Sequence, residues 1–487
     1  MRRAAALGFV TGVVYFTGTL YWITRVMAVY GNLQTWVALL VNAALILYLS
    51  LFPAVFAAIV ARLIARFGSI ALLGAPIVWV ATELGRTYLL TGFPWVLLGY
   101  SQATVLPIAQ LASVTGVYGV SMLVALVSAT LAMIAAQGPR EGDRHGPPEG
   151  GRYDLQGPAE AGHYLRLVPA AVAIALVLLV AVWGSRRVAA SAWTRDGDAI
   201  RVGLVQGNVD QGIKWDPTRA TTIFQEHVNR TREAIGRGAS LVLWPESSTP
   251  FLFEEEPVGA ELLRRLARQA RATLLFGSDQ IEWSTVNHQR VPAKYFNAAY
   301  LIRPDGSTAG TYRKMHLVPF GEYVPLQRLL FFAAPLTEQV GTFTPGMRPE
   351  LLPVDGHPVS VAICYEVVYP ALVRQFVQAG SELLTTITND AWFGATAAPY
   401  QHFEQASMRA IEEGRYLVRA ANTGISGIVD PYGRVIEKTE IFQPAVLVGE
   451  VRFLRTSTFY ARHGDVVAYL SLGITVGLLI VPRRRVQ

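Results

Sequence analysis

Apolar residues run almost without interruption through about 1–137, 165–183 and 466–481, and between the last two stretches the pattern breaks into short alternating runs. A helix needs roughly 20 mostly apolar residues to cross a bilayer. By that measure six spans are expected, at about 5–29, 34–60, 69–90, 105–135, 165–184 and 464–482. The second and fourth are long enough to tilt, bend or re-enter, and Pro53 offers the second a place to kink. The apolar stretch after Arg3 is too long for a secretory signal and lacks a small-residue cleavage site.

From Ile200 the periodicity becomes that of an α/β domain. IRVGLVQGNV reads as a strand, RATTIFQEHVNRTREAIGRG as an amphipathic helix, SLVLWPE as a buried strand, ELLRRLARQA as a helix and TLLFGSD as another strand. FNAAYLIRPDGST and GIVDPYGRVI carry turns between strand-like runs, HPVSVAICYE and ELLTTITND are further strands, and APYQHFEQASMRAIEEGRYLVRAA is expected to be helical. The segment 137–163, dense in Gly, Pro and charge, reads as a disordered cytoplasmic loop. The expected organisation is therefore helical spans over 1–185 (about five), a domain over 186–463 with buried sheets, and a last span with a basic tail over 464–487.

The composition agrees: 52% of residues are hydrophobic and 16% charged, too apolar for an ordinary soluble enzyme. Basic residues set the orientation. Arg2 and Arg3, Arg62 and Arg66, Arg140, Arg144 and Arg152, and Arg483 to Arg485 all fall on one side of the six spans. That side is cytoplasmic, so the large domain is expected to face outward. The net charge of +7 reflects this arginine bias, and with no basic stripe interleaved with aromatics, nucleic acid is not an expected partner. Within the spans, Arg25, Glu83 and Arg86 are charges that lipid penalises, and Glu83 and Arg86, one helical turn apart, are read as a pair, with contact to a phospholipid head group as the alternative.

A single cysteine, Cys364, excludes an intrachain disulfide. Reactive groups in α/β domains gather just past the carboxyl ends of buried strands. Glu246 after LVLW, Cys364 after VSVAI and Asn389-Asp390 after LLTTIT occupy such places. Lys314 stands out because the chain has only four lysines among 42 basic side chains. A carboxylate to take the thiol proton, an ammonium to hold an oxyanion and a thiol nucleophile together make an acyl-transfer site. Taken singly, each has a plainer reading: a small buried hydrophobe for Cys364, a helix-terminal residue for Glu246, a solvated loop charge for Lys314. No His/Cys cluster has metal-ligand spacing, and no cofactor is expected.

WPES, YRKMHLVPFGEYVP, ICYE, TNDAWFG and RYLVRAANTGISGIVDPYG, in that order, resemble the nitrilase superfamily. With the flanking spans and TGFPWVLLGYSQ, nearly the whole chain is similar to the bacterial apolipoprotein N-acyltransferases. The resemblance implies an αββα sandwich with a Glu246, Lys314, Cys364 triad, a second essential carboxylate at Glu322, roles beside the nucleophile for Tyr365 and Glu366, and substrate handling by Trp215. It implies a phospholipid acyl donor, preferably phosphatidylethanolamine, a diacylglyceryl-lipoprotein acceptor, and a bacterial inner membrane location with the domain on the periplasmic side. PLQRLLFFAAPL, directly after the Glu322 motif, is either a lipid-facing arm or a core helix.

The family is usually built with eight spans. Six are read here, the first resembling the family's third, so the two leading helices are expected to be either truncated or encoded upstream of this start, and an even number preserves orientation. A membrane-anchored nitrilase-type amidase, passing the acyl group to water, shares the triad and is the alternative. A catalytically silent membrane scaffold is a further one, disfavoured by the retention of all three triad residues.

Overall fold

The computed structural model describes residues 1–31, 33–136, 159–323 and 342–481, the side chains of 159–167 excepted. The first part is helical: α1 (Arg2–Leu20), α2 (Trp22–Val29), α3 (Thr35–Phe67), α4 (Ala75–Tyr88), α5 (Leu106–Ala109), α6 (Ala112–Ala136) and α7 (Ala159–Ala190). Among the described residues, α1, α3, α6 and α7 contain helices long and apolar enough to cross a membrane. The third expected span is a short α4 behind a 3-10 turn, Ser69–Gly74. The helix α3 runs through Pro53 as one element, and the break falls instead in α6, at Gly116. The segment 137–158 lies outside the described residues, and α7 begins at Ala159, inside the stretch read as loop.

Glu83 and Arg86 do not pair. Glu83 Oε1 accepts from Leu98 N at 2.7 Å, and Arg86 donates to the carbonyls of Trp95 (2.8 Å) and Val96 (3.3 Å). The physical reason is the non-helical backbone of TGFPWVLLGYSQ, whose polar groups at membrane depth need partners that lipid does not supply. Both charges are spent on holding this loop.

Among the described residues twelve strands follow: β1 (Ala199–Gln206), β2 (Leu241–Leu243), β3 (Thr273–Val286), β4 (Gln289–Ile302), β5 (Thr308–Arg313), β6 (Leu352–Val354), β7 (His357–Ile363), β8 (Leu383–Thr388), β9 (Leu417–Ala421), β10 (Gly427–Val429), β11 (Val435–Lys438) and β12 (Ala445–Arg452). They form two six-stranded sheets, ordered β12-β1-β2-β3-β4-β5 and β11-β10-β9-β8-β7-β6. The helices α8 (Pro217–Gly236) and α9 (Pro257–Ala270) cover the first sheet, and α10 (Pro370–Gln378) and α11 (Ala398–Glu413) pack on the second. The short α12 (Phe459–His463) leads to α13 (Val466–Ile480).

Strand alternation explains the layering. Leu241, Leu243, Leu275, Ala299 and Leu301 point into the core shared with the second sheet, whereas Val242, Leu274, Phe276, Ala298, Tyr300 and Ile302 point out against α8 and α9. Both faces are covered, so these strands read as continuous apolar runs. The chain arrives from α7 through β1 and leaves through β12 toward α13, and these two strands pair antiparallel from Ala199↔Arg452 to Gln206↔Ala445.

The expected helix 398–421 is two elements. Gly414 at φ 64°, ψ 41° closes α11 in the left-handed conformation that glycine adopts without a Cβ penalty. The buried run Leu417–Ala421 then pairs in parallel with β8 as β9.

Candidate active site

Three candidate residues sit at the ends of strands that the two stacked sheets bring together. Glu246 lies three residues past β2, Lys314 directly follows β5, and Cys364 directly follows β7. Lys314 N still donates to Asn297 O at 2.9 Å, extending the β4–β5 ladder by one rung and so fixing where its side chain starts. Cys364 opens a 3-10 turn, Cys364–Val368, at φ 53°, a left-handed conformation that costs a non-glycine residue about 1–3 kcal/mol. Glu322 occupies a tight turn closed by Glu322 N to Val318 O at 2.9 Å.

Lys314 is the hub. Its Nζ, 1% exposed, lies 3.3 Å from Glu246 Oε1 and 2.9 Å from Glu322 Oε1. Asn297 Nδ2 donates to the same two oxygens, at 2.7 and 2.9 Å. The outer oxygens are held by backbone: Glu246 Oε2 by Asn389 N at 2.9 Å, Glu322 Oε2 by Val318 N at 2.7 Å. Two buried carboxylates thus share one ammonium and one amide.

Burial raises the cost of ionising Glu246, but Lys314, Asn297, Lys214 and the Asn389 amide outweigh it and leave its pKa below the usual value. Burial likewise works against the Lys314 ammonium, and Glu322 and Glu246 overcome it, so Lys314 stays charged. Cys364 goes the other way: burial first, then the negative Glu246, push its thiol up, while Lys314 and a hydrogen bond with Thr388 oppose this. The resting site therefore pairs a neutral thiol with an ionised carboxylate, the arrangement a general base needs.

Glu366 is fully buried and braces two strand ends at once. Its Oε1 accepts from Tyr312 Oη (2.7 Å), Met315 N (2.7 Å) and His316 N (3.0 Å), and its Oε2 from Ile363 N (2.7 Å). The segment carrying Lys314 is thereby bonded to the residue before Cys364. Tyr365 is buried in an aromatic group with Trp95, Tyr369 and His316, its Oη accepting from Tyr369 Oη at 3.2 Å. Trp215 stands at the rim, 49% exposed, in the turn before Asp216, which caps α8 through Thr218 N. The segment PLQRLLFFAAPL lies outside the described residues.

Several residues were not singled out from sequence. Asn297 bridges the two carboxylates. Lys214, the neighbour of Trp215, turns inward and donates to Glu246 O at 3.1 Å. Burial lowers Lys214 to about 8, against the pull of Glu246, Asp279 and Cys364. Its scarcity in an arginine-rich chain was the available signal. A small cavity beside it is lined by Lys214, His227, Glu246, Ser247, Ser248 and Asn422. Asn389 and Asp390 shape the end of β8: Asn389 binds Asn422 and Gln211, and Asp390 binds Thr388, His402 and Arg419.

The helical part reaches this site. Trp95 stacks near Tyr365, and the indoles of Trp95 and Trp22 donate to Gln401 Oε1 on α11, at 2.8 and 3.2 Å. At the far end of α11, Glu412 Oε1 accepts from Val117 N, freed by the break at Gly116, at 2.8 Å.

Stacked sheets with carboxylate, ammonium and thiol at the strand ends define the carbon-nitrogen hydrolase class, and the Carbon-nitrogen hydrolase family matches residues 201–459. An amidase of known crystal structure from Nesterenkonia sp. is similar at 21% identity and TM-score 0.40, over 53% of this chain and 93% of that one. The Apolipoprotein N-acyltransferase N-terminal domain family matches residues 1–130. Apolipoprotein N-acyltransferase of Geobacter metallireducens is 40% identical over 99% of this chain and 88% of its own length, and that of Methylococcus capsulatus 35% identical over 99% and 88%. The chain belongs to the apolipoprotein N-acyltransferase family, multi-pass bacterial membrane enzymes.

Proposed function

We propose that this enzyme moves an acyl chain from a phospholipid to the α-amine of a diacylglyceryl-cysteine at a lipoprotein N-terminus, through a thioester on Cys364. Glu246 takes the Cys364 proton and the thiolate attacks the donor ester. Lys314, held charged between two carboxylates, stabilises the oxyanion. Collapse expels the lysophospholipid, whose oxygen takes the proton back from Glu246. In the second half the lipoprotein amine attacks the thioester, Glu246 accepts its proton, and the amide leaves as the Cys364 thiol is restored. Glu322 keeps Lys314 aimed, Glu366 locks the Lys314 and Cys364 segments together, Tyr365 lines the nucleophile, and Trp215 guides substrate at the rim.

Phosphatidylethanolamine is the expected donor, and the arginine distribution supports an inner-membrane enzyme with its domain on the periplasmic side. The observation that carries the reading is the shared bonding of Lys314 by Glu246 and Glu322 beside the chain's one cysteine. Intact mass spectrometry after incubation with phosphatidylethanolamine tests it. An acyl mass labile to neutral hydroxylamine, absent from Cys364→Ala and discharged by a diacylated lipopeptide into a triacylated product, is the expected result. Discharge by water alone would favour an amidase, and no adduct in folded protein would overturn the mechanism.

A further inference from the structure

Cys364 keeps a left-handed backbone, and something must hold it there. Its carbonyl oxygen lies 3.2 Å from Nε2 of His402, a residue of α11 whose side chain is fully buried. A carbonyl only accepts, so Nε2 carries the hydrogen. On the other side of the ring, Nδ1 lies between Arg419 Nη2, a donor at 2.9 Å, and Asp390 Oδ1, an acceptor at 3.0 Å. Whatever Nδ1 carries, the Cys364 carbonyl fixes the hydrogen on Nε2.

The frame around the ring is rigid. Arg419 Nη2 also bonds Asp390 Oδ2 at 2.9 Å, and Asp390 Oδ1, which accepts from Thr388 Oγ1 at 2.8 Å, sits 3.0 Å from Nδ1. Asp390, His402 and Arg419 are all 0% exposed. Trp95 covers the imidazole with centroids 5.3 Å apart, and Phe393 meets it edge-on at 5.9 Å. Burial and the neighbouring Arg419 lower the His402 pKa, against the pull of Asp390 and the Cys364 carbonyl.

We propose that His402 is a positioning residue for acyl transfer: its Nε2–H anchors the Cys364 carbonyl and so holds the backbone conformation that aims the thiol between Glu246 and Lys314. The inference rests on Cys364 being the nucleophile. Without the anchor the turn relaxes toward a commoner backbone conformation and the sulfur moves, and displacements on the 1 Å scale cost about 100-fold in rate.

Two substitutions separate anchoring from mere filling of space. In His402→Gln the amide nitrogen reaches the place of Nε2, whereas in His402→Asn it reaches only the place of Nδ1. The full chain, purified in detergent, has one thiol, so its alkylation by iodoacetamide is read by mass without ambiguity. Turnover is measured with phosphatidylethanolamine and a diacylated lipopeptide. His402→Asn should alkylate at least about tenfold more slowly and lose kcat to the same degree with KM within about twofold, and His402→Gln should recover to within about threefold of the parent. Equal rates in the two variants would overturn the proposal. If His402→Asn does not fold, His402→Met, which fills the space without an N–H, replaces it with the same two outcomes. A parent chain that alkylates but takes up no acyl group from phospholipid would instead refute the reading of Cys364 as nucleophile, a separate result.

Discussion

The indole of Trp95 lies on the phenol ring of Tyr365, with centroids 6.2 Å apart and planes 19° from parallel. Trp95 belongs to the loop after α4, and Tyr365 is the residue after Cys364, so the helical part of the chain touches the reacting end of the sheet directly. Replacing Trp95 with Ala should lower stability by about 3–5 kcal/mol through lost burial. Trp95→Phe, which keeps an aromatic face but loses the bond to Gln401, should retain most of that stability and part of the turnover. Thermal unfolding in detergent beside acyl-enzyme formation distinguishes the two.

Lys214 gives the site a pH signature. Burial depresses its pKa to about 8, whereas lysine in an unfolded chain titrates near 10.4. Between those values the unfolded chain binds the extra proton, so stability should rise as pH climbs from about 8 toward 10. Activity should fall over the same range, because a neutral Lys214 no longer offsets the negative charge of the thiolate that forms at Cys364. Lys214→Met should abolish both limbs; parallel pH series of melting and turnover would show whether they diverge as expected.

Among the described residues, Asn297 alone is a neutral donor that bridges Glu246 and Glu322. Asn297→Asp would set a third carboxylate beside them with one ammonium to share. A loss of kcat of at least about 100-fold is expected, with Asn297→Ser milder because it adds no charge. Steady-state kinetics on both variants would check the order.

Gly277 lets β3 pass close to the residue that carries the base. A Cβ there would sit 2.4 Å from Ser247 N and 2.8 Å from Glu246 Cα. Gly277→Ala should therefore cost about 1–3 kcal/mol and displace Glu246. The expected readout is slower alkylation of Cys364 and reduced turnover in protein that still folds.

The strands and most of the domain helices were legible because each carries its own periodicity. Glu246, Lys314 and Cys364 were legible as ordered motifs after apolar runs. Asn297 was hidden inside FNAAYLI, where nothing local distinguishes a bridging amide from any polar residue on a strand. Its role arises from stacking β4 beside β2 and β5. In the pair Lys214-Trp215 the aromatic drew the reading, yet the lysine is the one inside, a matter of which way the turn before α8 faces. Glu83 and Arg86 failed as a pair for a related reason: spacing along a helix records who is adjacent, and their partners are backbone groups of a loop nine or more residues away. Gly414 was visible but was read as internal to a helix, and the β-type run after it was the clue to a strand.

The pairing of β1 with β12 has a mechanical consequence. A domain hung from one linker can swivel freely above a surface; here the chain comes up and goes down through adjacent strands of one sheet. Two anchor points side by side remove spin, and the bonds from Trp22, Trp95 and Val117 to α11 keep the domain from tilting away. The site therefore keeps one bearing toward the helical part.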